Sequence, residues 1–232
     1  FSNKLNAVTA EVNDHFAKFR ISDALMAVYK FFWDDFCAWY LELVKPAYGS
    51  PIDAKTYEAT LKFFEDLLKM IHPIMPFITE ELWHAVRERG ENETIMFERY
   101  PVAGESDAEY IAAFGLATEV VAGIRNIRQQ KGLSPKEPLK AFFVGDFSKE
   151  MWPVVVKLAN VSEIQHVTTI DESLAGVSFM AGTVKVFIPF DGLVDATEEI
   201  AKLEGELKYL QGFLKSVRGK LSNEKFVSHA PE

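Results

Sequence analysis

Ile21-Ser-Asp-Ala-Leu-Met-Ala-Val-Tyr-Lys-Phe-Phe-Trp-Asp-Asp-Phe-Cys-Ala-Trp-Tyr-Leu-Glu-Leu-Val-Lys-Pro46 is the stretch on which the fold turns. Ile21, Leu25, Val28, Phe32, Phe36, Trp39 and Leu43 return at steps of three and four, which marks a helix with an apolar face. Tyr29, Trp33 and Tyr40 form a second stripe that widens this face, so the spacing predicts a helix packed on more than one side. A helix of that kind needs other helices around it. Ser22 is the expected N-cap, and Pro46, with no N–H for a further turn, is the expected stop.

The same period extends outward. Leu5, Val8, Val12, Phe16 and Phe19 predict a helix over residues 1–20. After a turn at Gly49-Ser50-Pro51, a helix is expected over 54–72; Pro73 and Pro76 break the chain, and Thr79 is expected to begin a fourth helix to about Arg89. The polar stretch 90–104 reads as irregular. Ser106 and Glu109 have capping-box spacing and predict a fifth helix to about Gln130. Beyond Gly132 the pattern shifts toward strands: 139–144 and 163–167 flank a helix near 147–159, and 177–181 with 183–189 read as a hairpin about Gly182. This predicts a small α/β module.

Asp195 with Glu198 is then expected to cap a last helix, along which Ile200, Leu203, Leu207, Leu210, Leu214, Val217 and Leu221 form a heptad seam. Burying one such side chain contributes about 1.5–3 kcal/mol, so the seam calls for a partner. No second heptad run follows. The expectation is one arm of a helical hairpin, from a longer protein, whose seam docks on the body, pairs with a neighbouring chain or frays. Gly205, Gly212 and Gly219 recur every seventh residue opposite the seam, either as drift on a solvent face or as a strip where another backbone lies close.

Composition bounds the class. The chain has 232 residues, 48% of them hydrophobic, and a mean hydropathy of -0.01, enough for a full core in one or two domains. Cys37 is the single cysteine, which fits a reducing compartment, and no apolar run is long enough to span a bilayer; a cytoplasmic protein is expected. The opening at Phe1 shows no signal-peptide pattern and favours an excised piece. The net charge of -9 argues against nucleic acid as a partner, but the cations cluster. Arg125, Arg128, Lys131, Lys136 and Lys140 face one acid, Glu137; Lys208, Lys215, Arg218, Lys220 and Lys225 face Glu224. Solvated helix faces and phosphate contacts are both open readings.

Catalytic and metal patterns are weak. Glu81 and His84 have the spacing of two ligands on one helix face, but helical di-metal sites need two such pairs, and His72 beside Pro73 reads as a kink residue. No glycine-rich phosphate loop follows a strand, and no nucleophile has an evident base. Asp34 and Asp35 are adjacent and diverge on a helix, a poor geometry for paired acid-base work. No catalytic residue and no metal ligand are therefore assigned. Trp33, Asp34, Phe36, Trp39 and Tyr40 interleave aromatics with acids, a pattern suited either to a bundle core with a wet acidic edge or to stacking and hydrogen-bonding unpaired bases. Arg125, Arg128 and Lys131 share a helix face, as phosphate-positioning cations would.

At these residues the chain resembles the C-terminal part of valyl-tRNA synthetases. Phe31 to Pro46 looks like the central anticodon-domain helix of that family, and Leu68-Lys-Met-Ile-His-Pro-Ile-Met-Pro-Phe-Ile-Thr-Glu-Glu-Leu-Trp83 is similar to several class I synthetases. Ile124-Arg-Asn-Ile-Arg128 with Pro138-Leu139 resembles the segment after the bundle, and Leu221-Ser-Asn-Glu-Lys-Phe-Val with Ala230-Pro231 the crossing between coiled-coil arms. The resemblance implies a mainly α fold: an anticodon-binding helical bundle over 1–131, a small α/β module over 132–194, and over 195–232 the first arm of a coiled-coil hairpin. It implies valine tRNA as partner, with Asp34, Asp35, Trp39, Arg125, Arg128, Lys131, Lys215 and Arg218 as tRNA-binding residues. Neither a His-x-Gly-His nor a Lys-Met-Ser-Lys signature occurs here, so the fragment is expected to be inactive alone and to hold no cofactor; ATP and magnesium belong to the whole enzyme, expected to be a monomer. The fragment itself is open to self-association through Ile200 to Leu221. Ala38 stands where relatives often carry an acid, and relatives have a further bundle helix upstream. A helical scaffold that binds protein through its coiled coil, or the same region of an isoleucyl or leucyl enzyme, are the alternatives.

Overall fold

The computed structural model describes residues 1–90, 92–171, 174–190 and 196–221, with side chains in the last stretch described at 204, 205 and 207–219. Helix α1 (Ser2–Ala17) turns sharply at Phe19, whose φ is 56°, into α2 (Ile21–Lys30). The turn is so tight that Arg20 is the N-cap, and Ser22, inside the helix, caps nothing. From α2 the chain continues through a π-helical run, Phe31–Tyr40, into α3 (Leu41–Val44). The wider closure of a π turn, i to i+5, puts more than four residues in each turn: Phe31 and Phe36 are buried, and Phe32, Tyr40 and Leu41 pack with them. The expected stripe through Phe32, Phe36 and Trp39 therefore splits. Trp39 leaves the bundle core for the core of the α/β part, and of the second stripe only Tyr40 packs inward, sharing a 3.0 Å hydrogen bond with Thr60.

Helix α4 (Ala54–Ile71) is capped by Asp53, whose side chain accepts the Thr56 N–H at 2.9 Å; hydrogen bonding from the Thr56 side chain first, and then from its N–H, holds the Asp53 carboxyl below its ordinary pKa. α5 (Pro76–Val86) starts at Pro76, earlier than Thr79, because proline supplies a first-turn residue that needs no N–H partner. Thr79 instead lies buried inside α5, its hydroxyl bonded to Met75 O at 2.8 Å and His72 Nδ1 at 2.7 Å. Leu5, Val8, Val12, Ala24, Val28, Phe31, Phe36, Leu67 and Met70 make the bundle core, and aromatic rings from Phe1, Phe31, Phe36, Tyr40 and Phe63 meet at centroid distances of 4.6–5.7 Å.

Helix α6 (Ala108–Lys131) begins at Asp107, which accepts the Tyr110 N–H at 2.9 Å. The Ser106 hydroxyl is drawn away to Asn3 O at 3.0 Å, so the expected capping box does not form. Gly132, at φ 65°, closes the helix in the left-handed conformation. The sheet has the order β2-β1-β4-β3. β1 (Leu139–Val144) runs parallel to β2 (Val161–His166) through the crossover helix α7 (Trp152–Ala159), and antiparallel to β4 (Val184–Pro189), which pairs with β3 (Gly176–Ala181) about Gly182. Its inner face, Leu139, Ala141, Phe143, Val184, Val186 and Ile188, packs with Ala117, Val120, Val121, Ile124 and Ile127 of α6. α6 thus gives its buried face to the sheet rather than to the bundle core.

The last helix, α8, spans Ala196–Leu221. Its Asp195 cap lies outside the described residues, as do the side chains of Ile200, Leu203 and Leu221. Leu207, Leu210 and Leu214 are 57%, 58% and 49% exposed, so of the three expected outcomes docking on the body is not seen for this part of the seam. Tyr209 and Phe213 are exposed beside them. Nothing lies within 4 Å of where a Cβ would sit on Gly205, Gly212 or Gly219. Among the described residues no helix is long and apolar enough to cross a membrane.

Candidate functional site

The helical run from Ile21 to Val44 presents two different surfaces. On one, Tyr29 and Trp33, four residues apart, are 55% and 60% exposed, with Lys30 and Asp34 also exposed beside them. Large aromatics with this much free ring surface stand out against a core that absorbs Phe31, Phe36 and most of Tyr40. A ring face can stack on any base, and a carboxylate such as Asp34 accepts from base amino groups. The sequence had grouped Tyr29 with the packed stripe. Its exposure depends on where α1 and α4 leave the helix uncovered, which spacing alone does not reveal.

The other surface holds Asp35 and Trp39. They line a cavity of about 370 Å³ closed by Lys4, Tyr110, Phe114 and Met151. Asp35 pairs with Lys4 at 3.8 Å; burial pushes its carboxyl above the usual pKa, with Lys4 opposing. The Arg125 guanidinium lies 5.7 Å from the centre of the Trp39 ring. Asp35 and Trp39 thus line one cavity, with Arg125 beside the Trp39 ring, while Asp34 is exposed on the other surface.

The row of cations on α6 is largely engaged within the fold. Arg125 donates through Nε and Nη2 to Leu158 O at 3.3 and 2.9 Å. Arg128 is only 5% exposed; it donates to Ser134 O at 2.8 Å and to Ala159 O and Asn160 O at 3.1 Å. Burial lowers the Arg128 pKa from its ordinary value, with Glu137 opposing. A guanidinium in this position closes the C-terminal end of α7, where orphan carbonyls and the negative end of the helix dipole need a donor. In this placement the Arg128 donors face backbone carbonyls of the fold. Lys131 is half-buried, its ammonium 5.7 Å from the Phe190 ring centre. Lys215 and Arg218 on α8 are exposed.

His84 pairs with Glu80 at 3.1 Å rather than with Glu81, and Glu80 also accepts from Thr94 Oγ1 at 2.7 Å and Ile95 N at 3.2 Å. This acid organises the loop after α5. Among the described residues no three His, Cys, Asp or Glu side chains are grouped to hold a metal ion.

Comparisons with known proteins match two parts of the chain. The model of the anticodon-binding domain of tRNA ligase matches residues 1–143, and that of the valyl tRNA synthetase tRNA binding arm matches residues 195–232. The chain is 48% identical over 232 residues to the valine-tRNA ligase of Parabacteroides distasonis and 49% identical over 232 residues to that of Phocaeicola vulgatus, in each case over 100% of this chain and 26% of the relative. With the valine-tRNA ligase of Fusobacterium nucleatum it shares 36% identity, over 99% of this chain and 27% of the relative. The chain thus spans about a quarter of the length of the curated relatives it matches. It belongs to the family of the anticodon-binding domain of tRNA ligases, in the form that precedes a valyl tRNA synthetase tRNA binding arm.

Proposed function

We propose that this chain is the tRNA-holding region of a valine-tRNA ligase. In this reading the exposed flank Tyr29, Trp33 and Asp34 takes the unstacked anticodon bases, and Lys215 and Arg218 on α8 hold the tRNA backbone. The observation that carries the reading is the exposed aromatic pair on the central bundle helix, because a free ring beside an acid is a base-stacking platform with a hydrogen-bond acceptor. Arg125, next to Trp39, and Lys131 are candidates for further backbone contacts; Asp35 and Trp39 act from the cavity behind the platform. Valine activation and its ATP and magnesium sites belong to the rest of such an enzyme, so the chain alone binds tRNA without charging it. The whole enzyme works in the cytoplasm as a monomer.

Replacing Trp33 by Ala tests this directly. Loss of one stacked base contributes about 1–3 kcal/mol, so valine tRNA binding is expected to fall about five- to a hundredfold with the fold intact. Unchanged affinity for Trp33→Ala and Tyr29→Ala together would remove the platform. A second reading, a scaffold that binds protein through the exposed seam of α8, predicts binding that barely responds to salt.

A further inference from the structure

The run of helix that carries Tyr29, Trp33 and Asp34 ends at α3 in an unusual way. Lys45 N–H closes the last turn on Leu41 O at 3.1 Å, Pro46 has no N–H to offer the Glu42 carbonyl, and the chain leaves the helix at Lys45, whose ψ is 125°. Lys45 does not serve as a local cap either, since its ammonium is turned to Glu42 Oε1 at 2.5 Å. The donor comes from far along the chain: Lys157 Nζ, on α7, donates to Leu43 O at 2.6 Å and to Lys45 O at 2.7 Å. A lysine at a helix C-terminus satisfies orphan carbonyls and complements the dipole, and here it is supplied by another element.

The C-terminal end of α7 is fixed in the same manner, by Arg125 on Leu158 O and by Arg128 on Ala159 O and Asn160 O. The caps form a relay in which α6 closes α7 and α7 closes α3. Through Trp39 the same relay touches the helix once more, at the Arg125 guanidinium.

Resting on the anticodon reading above, we propose that Lys157 is a positioning residue for base recognition. Its ammonium sets the axial and rotational position of the helical run whose exposed flank meets the bases, so the α/β part braces the reading helix as well as leading to α8. Lys157 itself touches no RNA in this scheme. Its loss lowers discrimination between anticodons and leaves the phosphate grip unchanged.

The test uses the 232-residue chain and two RNAs, valine tRNA and the same tRNA with its anticodon changed. Affinities for both are measured for wild type, Lys157→Met, Lys157→Gln and Lys157→Arg at two salt concentrations, with a thermal melt of each protein. Lys157→Met is expected to lower the affinity ratio about three- to tenfold, with an unchanged salt slope. Lys157→Gln keeps one donor group and should fall between, and Lys157→Arg should restore the ratio. A ratio equal to wild type in a folded Lys157→Met protein, whatever its melting temperature, overturns the proposal. So does a shallower salt slope with equal losses for both RNAs, since that would make Lys157 a phosphate contact. A wild-type ratio of one overturns the anticodon reading and this inference with it.

Discussion

The ring of Phe179 on β3 occupies the space where Gly123 on α6 would carry a Cβ: an added methyl would sit 2.0 Å from Phe179 Cε2. The glycine is therefore a packing requirement of the helix-to-sheet contact. Gly123→Ala gains up to about 1 kcal/mol in helix propensity, but the ring must move out of a filled interface, which costs about 1–3 kcal/mol. Net destabilisation is expected by urea unfolding. Adding Phe179→Leu should recover part of it, a non-additivity that two independent sites would not show.

Arg128 and Arg218 together test the proposed separation of structural from RNA-facing cations. Arg128→Ala uncaps α7, leaving the Ala159 carbonyl without the guanidinium while Asn160 O keeps the Leu139 N–H at 3.2 Å, so it should destabilise the chain by about 1–3 kcal/mol while leaving the salt slope of tRNA binding as it was. Arg218→Ala should leave stability within about 0.5 kcal/mol and reduce the salt slope by about one contact. Denaturant titration and binding at several salt concentrations check both. Equal slopes for the wild type and Arg218→Ala would remove Arg218 from the interface.

Asp35 gives a pH signature. Burial raises its carboxyl pKa above the unfolded value, with Lys4 opposing and Asp34 adding to the rise. The folded state therefore holds the proton more tightly, and the stability this provides is present below the unfolded pKa and lost as pH rises through the folded one. Asp35→Asn removes that penalty. Its melting temperature relative to wild type is expected to rise as pH increases from about 3 toward 7, the reverse of what an acid stabilised mainly by Lys4 would give.

The exposed seam makes a concentration-dependent prediction. Leu207, Leu210 and Leu214 leave much of their apolar surface in water, and pairing the seam would recover about 1.5–3 kcal/mol for each side chain buried. Sedimentation should show self-association at high concentration, and Leu210→Glu should abolish it. A chain that stays monomeric throughout with α8 helical would show that the seam has no affinity for itself.

What the sequence made legible was periodic. Leu5 to Phe16, the 54–72 helix and the hairpin about Gly182 are read from spacing because an apolar face repeats wherever an element meets a core, and the heptads of α8 repeat in the same way, whereas Phe19, also on the expected stripe, is 89% exposed in the turn after α1. The π run at Phe31–Tyr40 was not, since apolar residues crowd both the three-four and the wider spacing there and Phe31, Phe32, Phe36, Tyr40 and Leu41 all pack in the bundle core. Arg125 and Arg128 show a second limit. Cations three residues apart look the same whether their acceptors are phosphates or the last carbonyls of another helix, and here those carbonyls come from residues more than thirty positions downstream. Local capping failed similarly at Ser106, whose hydroxyl was taken by Asn3, about a hundred residues away in sequence. The exposed flank of Tyr29 and Trp33 is a feature of coverage, visible only once the surrounding helices are in place.

The central claim is that this chain distinguishes anticodons. Its most direct test is the affinity of the 232-residue chain for valine tRNA against the same tRNA with a changed anticodon, at low and moderate salt. The account predicts salt-sensitive binding to both, with the valine anticodon preferred at each salt concentration and the preference lost in Trp33→Ala. Equal affinity for the two tRNAs at every salt concentration would contradict it.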